Sequence, residues 1–389
     1  MVLEVNFSLS KSLYLPSSIS MYTYQMKNTT PFFQPFGSLL FGKPPVSALA
    51  EAFAKFSECS SLSQLRKTFG AYIPLALLDQ RTSGKNSRKR LFSLDLVFWS
   101  FLDQVQIPNG SCREAVRKVM AHVCLRFPNK KSKSMSPDTS AYCQARAKIP
   151  LEVMDKINEH LLDRLQTRIP LNGLWHGRHV RIVDGTGISM PDTKANQESW
   201  PQSKAQKTGC GFPLMNLVGI FCLHTGALMK SACSDRHTHE SKLFKNIWDT
   251  LKSGDLLLAD RGFCSFAAFA GLLARGVDSL MRLPEKKIRK AIGLQLPKTA
   301  NFDVIVKWKC PTQRDMKMVS AEFDLLPESL LVRVVRYTIT QSGFRTQTVT
   351  LVTTLLDAVI PAAEVAELYF RRWSIELHFR EIKVYLKMD

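Results

Sequence analysis

Apolar side chains change their spacing along the chain, and the changes divide it into segments. Residues 1–57 are rich in Ser, Pro, Phe and Tyr, as in SKSLYLPSSISMYTYQMKNTTPFFQPFG, and keep neither a helical nor a strand period. They are expected to form a variable leader. Over residues 58–172 the period becomes helical, as in LFSLDLVFWSFLDQV and LEVMDKINEHLLDRLQ, broken by Pro and Gly turns. This stretch predicts a small all-helical domain.

Near Val180 short apolar runs replace the helical stripes. VRIVDGT, PLMNLVGIFCLHTG and ALMKSACS read as three strands, the last two forming a hairpin. SKLFKNIWDTLK reads as a helix, DLLLAD as a buried strand, FAAFAGLLARG as a second helix and VDSLMRLP as a further strand. Strands with helices on their faces, in that order, predict an α/β, ribonuclease-H-like (retroviral-integrase-type) core over 173–284 and 358–389. Between its two parts, residues 285–357 turn strand-rich in DVIVKWK, LLVRVVRYTIT and TQTVTLVTTL, an expected inserted antiparallel β domain. Pro361 suits the opening of a final helix, with Glu364 in its first turn.

Charge adds a partner. The 389 residues carry 53 Lys and Arg against 33 Asp and Glu, a formal net charge of +20, and such an excess favours a polyanion such as nucleic acid. Basic runs begin at Arg81 (RTSGKNSRKR) and Arg126 (RFPNKKSKSMSP) within the helical segment. Ordinarily such runs are solvated surface, and they become candidate phosphate contacts only beside supporting chemistry. No apolar run of membrane-spanning length and no secretory pattern appears, so the expected site of action is cytoplasmic, with no membrane partner. Nine Cys without metal-site spacing read as reduced, mostly buried thiols. The absence of a G-x-x-x-x-G-K-[ST] loop argues against an ATP-driven motor.

Two aspartates are expected at the carboxyl ends of adjacent strands: Asp184 in VRIVDGT and Asp260 in DLLLADRG. That is where α/β sheets build their sites, although an Asp-Gly turn or a helix cap explains either one alone. In the last helix, at about 100° per residue, Tyr369, Arg372, Glu376 and Lys383 share an arc of roughly 60°. Leu368, Ile375, Phe379, Ile382 and Leu386 form the neighbouring apolar stripe that should pack on the sheet. An Arg-Glu pair four residues apart is common on any amphipathic helix. His237 and His239 in DRHTHESK read as polar residues at a helix start, not as metal ligands, and Trp308 and Trp373 as buried rings before base-stacking ones.

YFRRWSIELHFREIK, with the spacing Y-x2-R-x3-E-x6-K, resembles the signature of bacterial insertion-sequence transposases of family four. Such proteins carry their first aspartate in a DGT segment, here VDGTGISMPDT, and their second in a strand ending DRG, here LLLADRGF. A loop like QESWPQSKAQKTGCGFP follows the first. The resemblance covers roughly Val180 to Asp389. It implies a DDE transposase in which Asp184, Asp260 and Glu376 are catalytic and hold two divalent ions, Mg²⁺ with Mn²⁺ as a substitute. Tyr369, Arg372 and Lys383 would contact DNA phosphate. The implied partners are double-stranded DNA, as element terminal inverted repeats and as target, and a second copy of the chain. The protein would sit on the nucleoid when acting, and the helical domain would bind DNA. Proteins of this kind usually continue past the final helix, whereas this chain ends six residues after Lys383. That leaves a truncated DNA-binding descendant without turnover, or a nuclease of the same fold, as the alternative readings.

Overall fold

The computed structural model describes residues 62–79, 91–107, 110–126, 136–203, 205, 207, 209–283, 292, 295–312, 320–339 and 347–385. The leader over 1–57, the basic run from Arg81 and most of the run from Arg126 lie outside these residues, as does Leu386. The described chain forms two compact units, one over 170–379 and the other over 62–169 with 380–385.

The second of these units is helical, as expected. It contains α1 (Leu62–Phe69), α2 (Leu75–Leu78), α3 (Leu94–Gln106), α4 (Cys112–Arg126), α5 (Ser140–Arg146) and α6 (Leu151–Gln166). Ser93 starts α3 by accepting a hydrogen bond from the Leu96 N–H, the usual work of a serine N-cap. One apolar cluster joins Leu65, Phe98, Trp99, Val153 and Ile157, so α1, α3 and α6 share a core. A second joins Val97, Ala115, Val116 and Tyr142 from α3, α4 and α5. Most of these helices are too short to be stable alone in water, and packing of their apolar faces supplies most of the stability.

The other unit is a mixed α/β structure around one eight-stranded sheet of order β3-β2-β1-β4-β5-β8-β7-β6. Its elements are β1 (Val180–Ser189), α7 (Lys194–Ser199), β2 (Leu214–Cys222), β3 (Leu228–Asp235), α8 (Glu240–Lys245), β4 (Leu256–Ala259), α9 (Phe266–Leu273) and β5 (Asp278–Arg282). They are followed by β6 (Phe302–Lys309), α10 (Ser320–Asp324), β7 (Ser329–Ile339), β8 (Gln347–Thr353), α11 (Ala362–Phe370) and α12 (Ser374–Arg380). β1, β4 and β5 are parallel neighbours, while β2 and β3 pair antiparallel on one side. β4 is LLLA with every residue fully buried, as a parallel strand covered on both faces should be. β6 instead alternates buried and exposed positions, the mark of an edge strand with one wet face.

Two expectations change in detail. Residues 285–357 were set apart as an inserted β domain, and their strands are indeed antiparallel. However, β8 pairs with β5 through Leu280↔Thr353, Met281↔Val352 and Arg282↔Leu351, so β6–β8 extend the same sheet. The final helix is not continuous either. α11 ends at Phe370, Arg371–Trp373 wind as a 3-10 turn, α12 follows, and Glu381–Tyr385 close as a π turn. The stripe expected to pack is buried at Leu368, Ile375, Phe379 and Ile382. Phe379 meets Phe221 of β2 edge-on at 5.2 Å, the favoured geometry for an aromatic pair.

The thiols are a further correction. Of the described cysteines only Cys222 and Cys264 are buried, while Cys124, Cys210 and Cys233 are exposed. Two of the exposed ones fall at positions facing water on α4 and β3, which composition alone does not reveal. Among the described residues, no helix is long and apolar enough to cross a membrane.

Candidate active site

The parallel pairing of β1 with β4 ends at Val183↔Ala259. Asp184 and Asp260 are the next residue on each strand, so two carboxylates stand side by side where the pairing stops. Asp184 does not end its strand, contrary to the sequence expectation. Gly185 to Ser189 continue in register with β2 as far as Ser189↔Leu214, so DGT is strand and not turn. The apolar VRIV half ends at Asp184, but the ladder to β2 does not require apolar residues. Asp260 directly follows the last residue of β4, and the Phe263 N–H closes a turn on its carbonyl at 3.1 Å.

Arg372, in the 3-10 turn after α11, reaches this point and donates from Nη1 to Asp184 Oδ2 at 2.9 Å. The arginine is only 5% exposed, and its Nε has no hydrogen-bond partner among the described residues. Its guanidinium lies 5.9 Å from the Tyr369 ring and 5.4 Å from that of Trp373. Burial nevertheless pushes Asp184 above the usual carboxylate range, with the charge of Asp260 adding to it, against the Gly185 N–H and Arg372.

Tyr369 is buried, and its hydroxyl donates to the Ala259 carbonyl at 3.3 Å, one residue before Asp260. Burial raises its hydroxyl far above the ordinary tyrosine range. In this structure the residue fastens α11 to β4. Glu376, at the start of α12, is exposed and makes no hydrogen bond or ion pair among the described residues. The 3-10 turn winds more tightly than an α-helix and shifts the angular spacing on which the shared arc of Tyr369, Arg372 and Glu376 depended. The structure therefore brings Asp184, Asp260, Tyr369 and Arg372 together and leaves Glu376 outside their hydrogen bonds. Lys383 lies in the π turn and belongs to the helical unit.

A third carboxylate stands at the pair that sequence reasoning missed. Glu240 begins α8, and its carboxyl lies so close over Gly185 that a Cβ there would meet its Cδ and Oε1 at 2.5 Å. A side chain at Gly185 would push the Glu240 carboxyl away from this position. Burial raises the Glu240 carboxyl, and the charges of Asp184 and then Asp260 raise it further, against His239. A glutamate in a first helical turn is ordinarily explained by the helix dipole, which hid the signal. His239 sits at a helix start as expected, and its side chain caps α8 by accepting from the Ser241 N–H. Trp308 is buried against Phe266 and Phe269, as expected. Trp373, expected to be buried, is 53% exposed, because the turn carrying it aims Arg372 inward and its neighbour outward.

This constellation lies within a stretch, residues 175–389, that matches the family model described as "Transposase DDE domain". The chain belongs to the DDE transposase domain family. It is also 22% identical over 339 residues to the transposase InsG for insertion sequence element IS4 of Escherichia coli (strain K12), spanning 86% of this chain and 72% of that protein. The resemblance carried by VDGTG, LADRG and YFRRWSIELHFREIK thus agrees with both comparisons. Membership makes the chain a transposase, acting in general by phosphoryl transfer on nucleic acid with divalent metal ions. Among the described residues, no three His, Cys, Asp or Glu side chains converge closely enough to cage a metal by themselves. The chemistry of the donors still fits Mg²⁺, which takes one or two carboxylates and fills its other positions with water and substrate phosphate oxygens.

Proposed function

We propose that this transposase excises an insertion sequence and joins it to target DNA by cut-and-paste phosphoryl transfer at the Asp184–Asp260 pair. The observation that carries the reading is the adjacency of those two carboxylates, with Arg372 bonded to one of them. Their sheet order, with β3-β2-β1-β4-β5 on one side, supports a ribonuclease-H-like core to which β6–β8 are an insertion. On this reading the domains are a leader over 1–57, a helical DNA-binding domain over 58–172, a core over 173–284 and 358–389, and a β insertion over 285–357.

Asp184 and Asp260 hold hard cations because anionic oxygen is what Mg²⁺, or Mn²⁺ in its place, prefers. Two such ions, when bound, activate the attacking water or 3′-hydroxyl and stabilise the leaving oxygen of an in-line displacement. Glu376 is the third carboxylate, and its exposure leaves it accessible to a bound ion or to DNA. Arg372 balances Asp184 and offers its remaining donors to phosphoryl oxygens, whose charge spreads during transfer. Tyr369 and Lys383 are further phosphate contacts. For Tyr369 this requires leaving Ala259, since its hydroxyl has one proton to donate. The +20 charge favours double-stranded DNA, with terminal inverted repeats and target as the two substrates and a homodimer as the assembly on paired ends.

The test is incubation of purified protein with its element's terminal DNA and a target plasmid, with Mg²⁺, with Mn²⁺ and with chelator. Asp184→Ala, Asp260→Ala and Glu376→Ala are assayed alongside. Metal-dependent cut and joined products, lost in each variant while DNA binding persists, are expected. Cutting without joining identifies a nuclease, and binding without products a DNA-binding descendant. Full activity in any of the three variants removes that residue from the site.

A further inference from the structure

The helical unit holds a second cluster of reactive groups, to which the proposed reaction assigns no role. Ser111 caps α4, its hydroxyl accepting from the Glu114 N–H and its carbonyl from Ala115 N. Cys112 is therefore the first residue of a 15-residue helix, where free N–H groups and the macrodipole favour an anion. Its Sγ accepts from Gln104 Nε2 of α3 at 3.6 Å and from Arg146 Nη1 of α5 at 3.7 Å. Cys143 of α5 packs against the same apolar cluster of Val97, Ala115, Val116 and Tyr142 as Cys112 does.

Arg146 is held in place for this role. It donates to Gln104 Oε1 at 3.2 Å, the oxygen that also accepts from the Tyr142 hydroxyl at 2.7 Å, and it lies over the Phe101 and Tyr142 rings. Burial pushes the Cys112 thiol up, but the Gln104 and Cys143 hydrogen bonds and the Arg146 charge outweigh it and bring the thiol below its ordinary range. Cys143 moves the other way, raised by burial and then by Cys112, with Asp138 adding to it and Arg146 opposing. The two thiols are thereby shifted in opposite directions, Cys112 towards the thiolate and Cys143 away from it. Both are partly accessible.

We propose that Cys112 and Cys143 are a redox-active dithiol that a hydroperoxide closes to a disulfide, tying the start of α4 to α5. The Cys112 thiolate attacks the terminal oxygen of the peroxide, and the O–O bond breaks; the alkoxide or hydroxide that leaves takes a proton from solvent to become alcohol or water, and Cys112 is left as a sulfenic acid. The Cys143 sulfur then attacks the Cys112 sulfur. The S–O bond breaks, and hydroxide leaves with the Cys143 proton as water. Two electrons pass from the sulfurs to the peroxide. The ring so closed contains the basic run from Arg126, so oxidation fixes both ends of the segment that carries those cations.

The full chain is tested directly. A limiting dose of iodoacetamide at neutral pH, followed by peptide mass analysis, should alkylate Cys112 several-fold faster than Cys124, which is exposed on the same helix. One equivalent of hydrogen peroxide should produce a cross-linked Cys112–Cys143 peptide, two hydrogens lighter, that dithiothreitol reverses. In Cys143→Ser the sulfenic acid on Cys112 should accumulate and be trapped by dimedone. Equal alkylation of Cys112 and Cys124, or oxidation at other cysteines with no such cross-link, overturns the proposal. Both decisive measurements use the unmutated protein and do not depend on a variant folding.

Discussion

Two buried arginines in the sheet unit each meet an aspartate, and they differ in what is left over. Across β6 and β7, Arg333 grips Asp303 with Nε at 2.7 Å and Nη2 at 2.5 Å, and its Nη1 donates to the Asp357 carbonyl at 3.0 Å. The fork is filled, and the Asp303 hydrogen bonds raise the guanidinium above its already high range. Arg372 gives Asp184 one hydrogen bond, retains an Nε without a partner among the described residues, and does not overcome the burial and like charge that raise that carboxyl. A pair built for stability satisfies itself. The pair at the candidate site retains unspent donors and crowded carboxylates, the condition under which a cation and a phosphate find partners.

The comparison is broken most directly by removing the aspartates. Asp184→Asn should lower metal-dependent strand cleavage by at least ~10³-fold, the scale on which preorganised electrostatic groups act, while costing less in urea unfolding than the loss of Asp303. The lost ion pair is offset by relief of repulsion with Asp260 and Glu240. Asp303→Asn should do the reverse, costing about 2–3 kcal/mol in urea unfolding because it strands a buried guanidinium, with active protein cleaving normally. Equal stability losses in the two would erase the distinction.

Smaller effects sharpen it. Tyr369→Phe removes the hydroxyl bond to Ala259 and should cost about 1 kcal/mol in chemical denaturation. A loss of DNA affinity beyond that instability would show the hydroxyl leaving Ala259 for phosphate. Glu240→Gln should raise the midpoint of thermal unfolding slightly at pH 7 without metal. Glu240 has a raised folded pKa, so its contribution to stability is present below the unfolded value and lost as pH rises through the folded one. The advantage of the variant should therefore vanish as pH falls to about 4, the ordinary glutamate range. A gain that is independent of pH would show that crowding of charge is not its cause.

Local features of this architecture were legible in the sequence, and the pairings between distant segments were less so. The strands carrying Asp184 and Asp260, the helices on either side and the antiparallel character of residues 302–353 follow from period and apolar runs. The joining of β8 to β5 depends on partners about seventy residues apart, which no local period encodes. Glu240 was hidden for the same reason, since only the β2–β3 hairpin brings α8 back over Gly185. Trp373 and the break after Phe370 escaped because an apolar stripe looks alike on an α-helix and on one with a short 3-10 turn.

That break can also be considered as rotation. A 3-10 turn advances about 120° per residue and an α-helix about 100°, so across Arg371–Trp373 the difference accumulates to roughly 60°. Whatever fixes the winding of those three residues thus fixes the bearing of every side chain beyond them on α12. Glu376 is aimed by torsion in the backbone upstream, as the bit of a key is aimed by its shaft, and Arg372, gripping Asp184 from inside the twisted segment, is the point at which that shaft is held.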